Sequence, residues 1–175
     1  MVFLLIKLIL AVIVLGVVVV GIYIAHQGDA VMRFKTAART KAVKEHADEQ
    51  RLDFTVEVPY DNIGRQEGTI IDAYMRIYLP QEQYGDVLLR GKVNLKNVLR
   101  EDDYFEALLV PAGTGNTLML RFEAYARNGK NITEAMEQIP DVDVALFADC
   151  RGRGALYTKK EIFTLTAEEM RKLVK

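Results

Sequence analysis

Residues 8–25 read LILAVIVLGVVVVGIYIA, without a charge or a proline. With Val2 to Ile6 in front, Lys7 is the only charged side chain of the first 25 residues. As a helix, an apolar run of about 20 residues covers about 30 Å, the thickness of bilayer hydrocarbon. The run therefore predicts a transmembrane anchor over residues 1–25, meeting the lipid bilayer through residues 2–25. A cleaved signal peptide fits less well. No basic n-region precedes the run, the run outlasts an h-region, and Ile24-Ala25-His26 lacks the small-x-small exit. Lys7 sits near one end, where its stem can snorkel to the headgroups.

Lysine and arginine near the ends of a span set its orientation. Lys7 precedes the uncharged stretch, whereas Arg33, Lys35, Arg39, Lys41 and Lys44 follow it. The excess predicts a single-pass protein with its N-terminus out and its C-terminal domain in the cytoplasm. The same five basic residues are expected close to the lipid, each adding about 1 kcal/mol of attraction to an anionic surface. Residues 26–51 are rich in Ala, Lys, Glu, Arg and Gln, with no proline. That composition predicts a juxtamembrane helical stalk.

At Leu52 the apolar period changes to two. Phe54, Val56 and Val58 share one face; so do Ile71, Ala73, Met75 and Ile77; so do Val87, Leu89, Gly91 and Val93. Further runs follow at 104–110, 117–127, 141–150 and 161–165, with turn residues such as Asp61-Asn62-Ile63-Gly64 and Asn128-Gly129 between them. About seven alternating runs without a βαβ signature predict a mainly β domain over 52–175. The expected form is an antiparallel β-sandwich, immunoglobulin-like or fibronectin-like, although the Cys…Trp…Cys signature is missing. A helical turn is expected within 133–137, and Thr166 with Glu169 reads as a capping box opening a short C-terminal helix.

The chemistry is constrained by what the chain lacks. There is no serine and no tryptophan, and both histidines, His26 and His46, precede the expected domain. A Ser-His-Asp triad is thereby excluded, Cys150 has no histidine in its domain to activate it, and a His/Cys zinc site lacks ligands. Net charge is −1, which gives no electrostatic case for nucleic acid. No cofactor or metal is expected. Two groups of carboxylates, Asp141, Asp143 and Asp149 against Glu101, Asp102 and Asp103, match no calcium loop. Cys150 continues the inward parity of its strand, so a buried inert thiol is expected.

The outward positions Tyr74, Arg76, Tyr78, Arg121, Tyr125 and Arg127, with Arg90 and Lys92, carry the residue types enriched at protein–protein hot spots. Together these features predict a membrane-anchored, non-catalytic interaction or scaffolding module that binds a protein partner or itself. An extracytoplasmic adhesion or ligand-binding domain on an uncleaved signal anchor is the alternative, and a carboxylate-based enzyme a more distant one.

Overall fold

The computed structural model describes residues 2–96, 98 and 104–174. Glu101, Asp102 and Asp103 lie outside the described residues. The chain opens with α1 (Val2–Gln27), a helix with no buried residue. Gly28, at φ +69°, ends it in the left-handed conformation that suits glycine after a helix.

Among the described residues nine strands follow. They are β1 (Met32–Phe34), β2 (Val43–Ala47), β3 (Arg51–Asn62), β4 (Gly68–Tyr78), β5 (Val87–Leu95), β6 (Leu108–Val110), β7 (Gly115–Ala126), β8 (Val142–Arg151) and β9 (Tyr157–Leu165). A 3₁₀ turn covers Thr36–Ala38, and two short helices, α2 (Ile132–Glu137) and α3 (Ala167–Arg171), sit after β7 and β9. One antiparallel sheet has the order β1-β3-β7-β5, with β2 also on β3; the other has the order β6-β4-β8-β9.

Period-two alternation drives this arrangement. Leu52, Phe54, Val56 and Val58 of β3 and Leu118, Leu120 and Phe122 of β7 turn inward, where Val142, Val144, Leu146 and Cys150 of β8 meet them in one core. Phe54 stacks on Phe122 at 4.9 Å between ring centroids. Gly91 of β5 lies where an added Cβ would press on Met75 and Ile77 of β4, so the absent side chain lets the two sheets close along that edge. The sandwich predicted by the alternation is therefore present. The long strand β3 pairs with β7, and the chain crosses to the other sheet at β4.

Three expectations need correction. The helical stalk over 26–51 does not exist beyond Gln27: residues 32–34 and 43–47 are strands paired antiparallel with β3. Helix propensity there is worth tenths of a kcal/mol per residue and yields to pairing with a long strand. The β-domain consequently begins near Ala30, which is buried together with Met32 and Phe34, and not at Leu52. In β4 a bulge between Ile70 and Asp72 shifts the parity, so Ile70 is buried and Ile71 is 39% exposed.

The turns follow their chemistry. Asn128 (φ 58°) and Gly129 (φ 76°) take the positive-φ turn expected of that pair. Asn131 forms a complete capping box on α2 with Glu134. At α3 only half of the expected box forms. The Thr166 hydroxyl accepts from Glu169 N, whereas the Glu169 carboxylate is spent on Arg39 and on Ala42 N.

Candidate functional site: the helix junction and the two sheet faces

The end of the sandwich nearest α1 is a built joint. Asn62, wholly buried at the end of β3, accepts from Val31 N and Gly64 N through Oδ1 (both 3.0 Å). Its Nδ2 donates to the carbonyls of Gln66 (2.8 Å) and Val110 (3.0 Å). One side chain thus pins the segment leaving the helix, the β3–β4 turn and β6.

Asp29 makes the second tie. Its carboxylate accepts from Ala30 N (2.8 Å) and from two amides of the β8–β9 turn, Arg153 N (2.7 Å) and Gly154 N (3.3 Å). The Arg153 amide is the main reason its pKa lies below the usual carboxylate value. A Cβ at Gly152 would collide with this carboxylate. The turn Arg151-Gly152-Arg153-Gly154 is therefore a cradle for Asp29. The last turn of α1 is held as well. Arg65 donates to the His26 carbonyl (3.1 Å), Gln66 to the Gln27 carbonyl (3.3 Å), and Arg153 to Gln27 Oε1 (2.7 Å).

The five basic residues expected at the lipid are dispersed. Arg33 and Lys35 both pair with Asp61, whose carboxyl they hold far below its ordinary range, the hydrogen bond from Arg33 contributing most. Arg39 forms a two-pronged pair with Glu169 at 2.8 and 2.9 Å, with side chains 16% and 13% exposed. Burial works to raise the Glu169 pKa, but Arg39 and Ala42 N outweigh it and the net shift is downward. Lys44 pairs in register with Phe54, eight residues along β3 from Asn62. At about 3.3 Å per residue that is roughly 26 Å from the joint. Lys41 lies on the same climb, lining an open cleft of about 740 Å³ with Arg39, Glu168 and Lys172. The cleft's carboxylates are already engaged, Glu169 by Arg39 and Glu168 by Lys172.

The six residues expected to form one partner-binding face lie on two sheets. Tyr74, Arg76 and Tyr78 belong to β4, Arg121 and Tyr125 to β7, and Arg127 follows β7. Two of the β4 group gather on Phe147 of β8. Tyr74 stacks on Phe147 at 5.1 Å, and Arg76 and Lys160 sit over its ring at 5.5 and 5.6 Å. Tyr78 and Ile162 are exposed large side chains of the same sheet. Sequence reasoning missed Phe147, Lys160 and Ile162, although the outward parity of Phe147 was readable. On the other sheet Tyr125 is hemmed in by Arg51 at 5.3 Å and Arg90 at 6.0 Å, and its hydroxyl donates to Glu123.

Each carboxylate at positions 141, 143 and 149 accepts a hydrogen bond from a neighbouring element. Asp141 accepts from Ala167 N at the start of α3, Asp143 from Thr164 Oγ1 and Asp149 from Thr158 Oγ1. Asp143 and Asp149 stand six residues apart on one strand, about 20 Å, against the 5–9.5 Å that glycoside chemistry needs. Among the described residues no group of three His, Cys, Asp or Glu side chains converges for a metal. Cys150 is buried, and burial, helped by Asp149, pushes its thiol up to about 11.

No protein-family model matches this chain, and no curated protein matches it. Among solved structures, a yeast GGA1 GAE domain is similar at 9% identity, covering 77% of this chain and 90% of that one, with a TM-score of 0.38. The GAE domain of GGA2p from Saccharomyces cerevisiae is similar at 9% identity, covering 79% and 98%, with a TM-score of 0.37. At that level neither likeness bears on function.

Proposed function

We propose that this chain is a single-pass membrane protein whose β-sandwich, of the broad immunoglobulin-like class, is a non-catalytic interaction or scaffolding module of a membrane complex. One observation carries the proposal. Every described apolar side chain of α1 is exposed, and the sandwich covers none of them. Leaving a Val, Leu, Ile or Phe in water in place of burial costs about 1.5–3 kcal/mol each. Over the helix that sums to tens of kcal/mol of driving force toward an apolar surrounding, which the sandwich does not supply. Only an apolar surrounding resolves such a debt, and 26 residues, about 39 Å of helix, suit a bilayer.

The partner is a protein, and the Phe147-centred face is its docking surface. There Tyr74, Arg76, Tyr78, Lys160 and Ile162 combine aromatic area with cations, the composition of interface hot spots. The basic excess after the helix orients the domain to the cytoplasm.

The test uses the full chain with a C-terminal tag and a photo-crosslinking residue at position 78 or, as control, position 121. Support requires three results: resistance to alkaline extraction from membranes, tag cleavage only in inverted vesicles, and a discrete adduct from position 78 alone. Alkaline release would overturn the anchor. Cleavage from the outer side would overturn the orientation and favour the extracytoplasmic adhesion reading. Equal adducts from both positions would remove the Phe147 face.

A further inference from the structure

We infer that the joint end of the sandwich is itself a lipid-docking surface, seated on an anionic bilayer beside the exit of α1. The inference rests on the membrane-anchor reading above and adds to it a specific contact between domain and headgroups.

Depth comes first. If residues 8–25 fill the hydrocarbon, His26 and Gln27 stand in the headgroup layer, which is about 5–7 Å thick on each side. The β3–β4 turn bonds to both of their carbonyls through Arg65 and Gln66, and the β8–β9 turn bonds to the Gln27 side chain through Arg153. Both turns are therefore held at headgroup depth.

Their surfaces suit that place. Ile63 is 52% exposed and Leu156 is 56% exposed, each a large apolar side chain on one of the two turns. At no more than 3.6 Å per residue, Ile63 lies within about 7 Å of Arg65 and Leu156 within about 11 Å of Arg153. The charge is complementary to lipid phosphate. Arg65, Arg151 and Arg153 are all exposed, and none is ion-paired with a carboxylate among the described residues. Each guanidinium has five N–H donors, and Arg65 and Arg153 each give only one to the helix end. Opposing them are the carboxylates of Glu67 and Asp29, the latter already within the field of Arg153, so three guanidiniums face two carboxylates and the balance at the turns stays positive.

Apolar tips flanked by arginines that carry phosphate-sized forks form an interfacial contact, not a solvated loop cluster. It would fix the tilt of the sandwich on its helix and present the Phe147 face at a constant height.

The experiment places the full chain in lipid nanodiscs. A fluorophore is attached at Ile63→Cys, Leu156→Cys, Tyr23→Cys as anchor control, or Glu82→Cys at the opposite end of the sandwich. Native Cys150 is buried and does not compete for the label. Quenching is read with headgroup-labelled and acyl-labelled lipid. Labels at 63 and 156 should be quenched from the headgroup and the one at 82 should not, with quenching stronger in anionic than in zwitterionic discs. Arg65→Gln and Arg153→Gln should each lower the docked-to-undocked ratio about fivefold in anionic discs and little in zwitterionic ones. If 63 and 156 are no more quenched than 82 while 23 is quenched from the acyl region, the anchor stands and the docking surface is refuted. If 23 is not quenched either, both fall.

Discussion

Replacing Asn62 tests whether the joint is as rigid as its hydrogen bonds imply. Asn62→Ala deletes four of them, from Val31 N and Gly64 N and to the carbonyls of Gln66 and Val110. A net value of about 1 kcal/mol per bond gives about 4 kcal/mol. Water can re-solvate the turn groups, but the bond to Val110 is buried, and stranding its carbonyl keeps the cost high. The expected loss is about 3–5 kcal/mol, a fall in Tm on the order of 10 °C for a domain of this size. Asn62→Asp separates this account from simple packing. The carboxylate keeps both acceptor roles, but when ionised it faces two carbonyls in a buried site. Its folded pKa is then raised above the unfolded value of about 3.9. A raised carboxylate pKa means stability present at low pH and lost as pH rises through the folded pKa. The gap between this variant and the native chain should widen from about pH 4 upward. The assay is urea unfolding of the full chain in mild detergent, followed by far-UV circular dichroism at several pH values. A cost below about 1 kcal/mol for the alanine, or a flat pH profile for the aspartate, would refute the pinning role.

Other outcomes follow from the same structure. Arg39→Ala leaves the part-buried Glu169 without its guanidinium, at a cost of about 2–4 kcal/mol at neutral pH; because Glu169 can then protonate, the deficit should shrink as pH falls toward 4 in parallel melts. Gly64→Ala puts a Cβ against the Asp29 carbonyl oxygen and Val31 N, so a loss of about 1–3 kcal/mol is expected, with faster hydrogen exchange at the Ile63 and Arg65 amides, which bond to that segment. Cys150 should resist thiol reagents until the domain unfolds. With its pKa near 11 folded and about 9 unfolded, stability should decline by roughly 2–3 kcal/mol between those pH values, a slope that Cys150→Ala removes.

The sequence was sufficient wherever a signal is local or periodic. The helix α1 is visible because its apolar run is long and unbroken by charge or proline from residue 8 to residue 25. Strands β3, β5, β7 and β8 are visible because each buries one face and wets the other. The turn at Asn128-Gly129 is visible because few residue types accept positive φ. The tertiary structure alone decided the rest. Strand β2 exposes all five of its residues, so it carries no alternation to read; its strand form comes from pairing with β3 across sequence. The basic residues after the helix look adjacent to the membrane in sequence, yet the strand they join carries Lys44 about 26 Å along β3 from the joint. Tyr74 and Tyr125 look alike by parity, but parity gives the side of a strand and not the sheet to which it belongs. Asn62 and the Arg151–Gly154 turn read as ordinary turn chemistry. Their roles as bolt and cradle arise because β1, β3, β6 and β8 bring Val31, Gln66, Val110 and Asp29 to one place, and long-range pairing of that kind leaves no periodic trace in the chain.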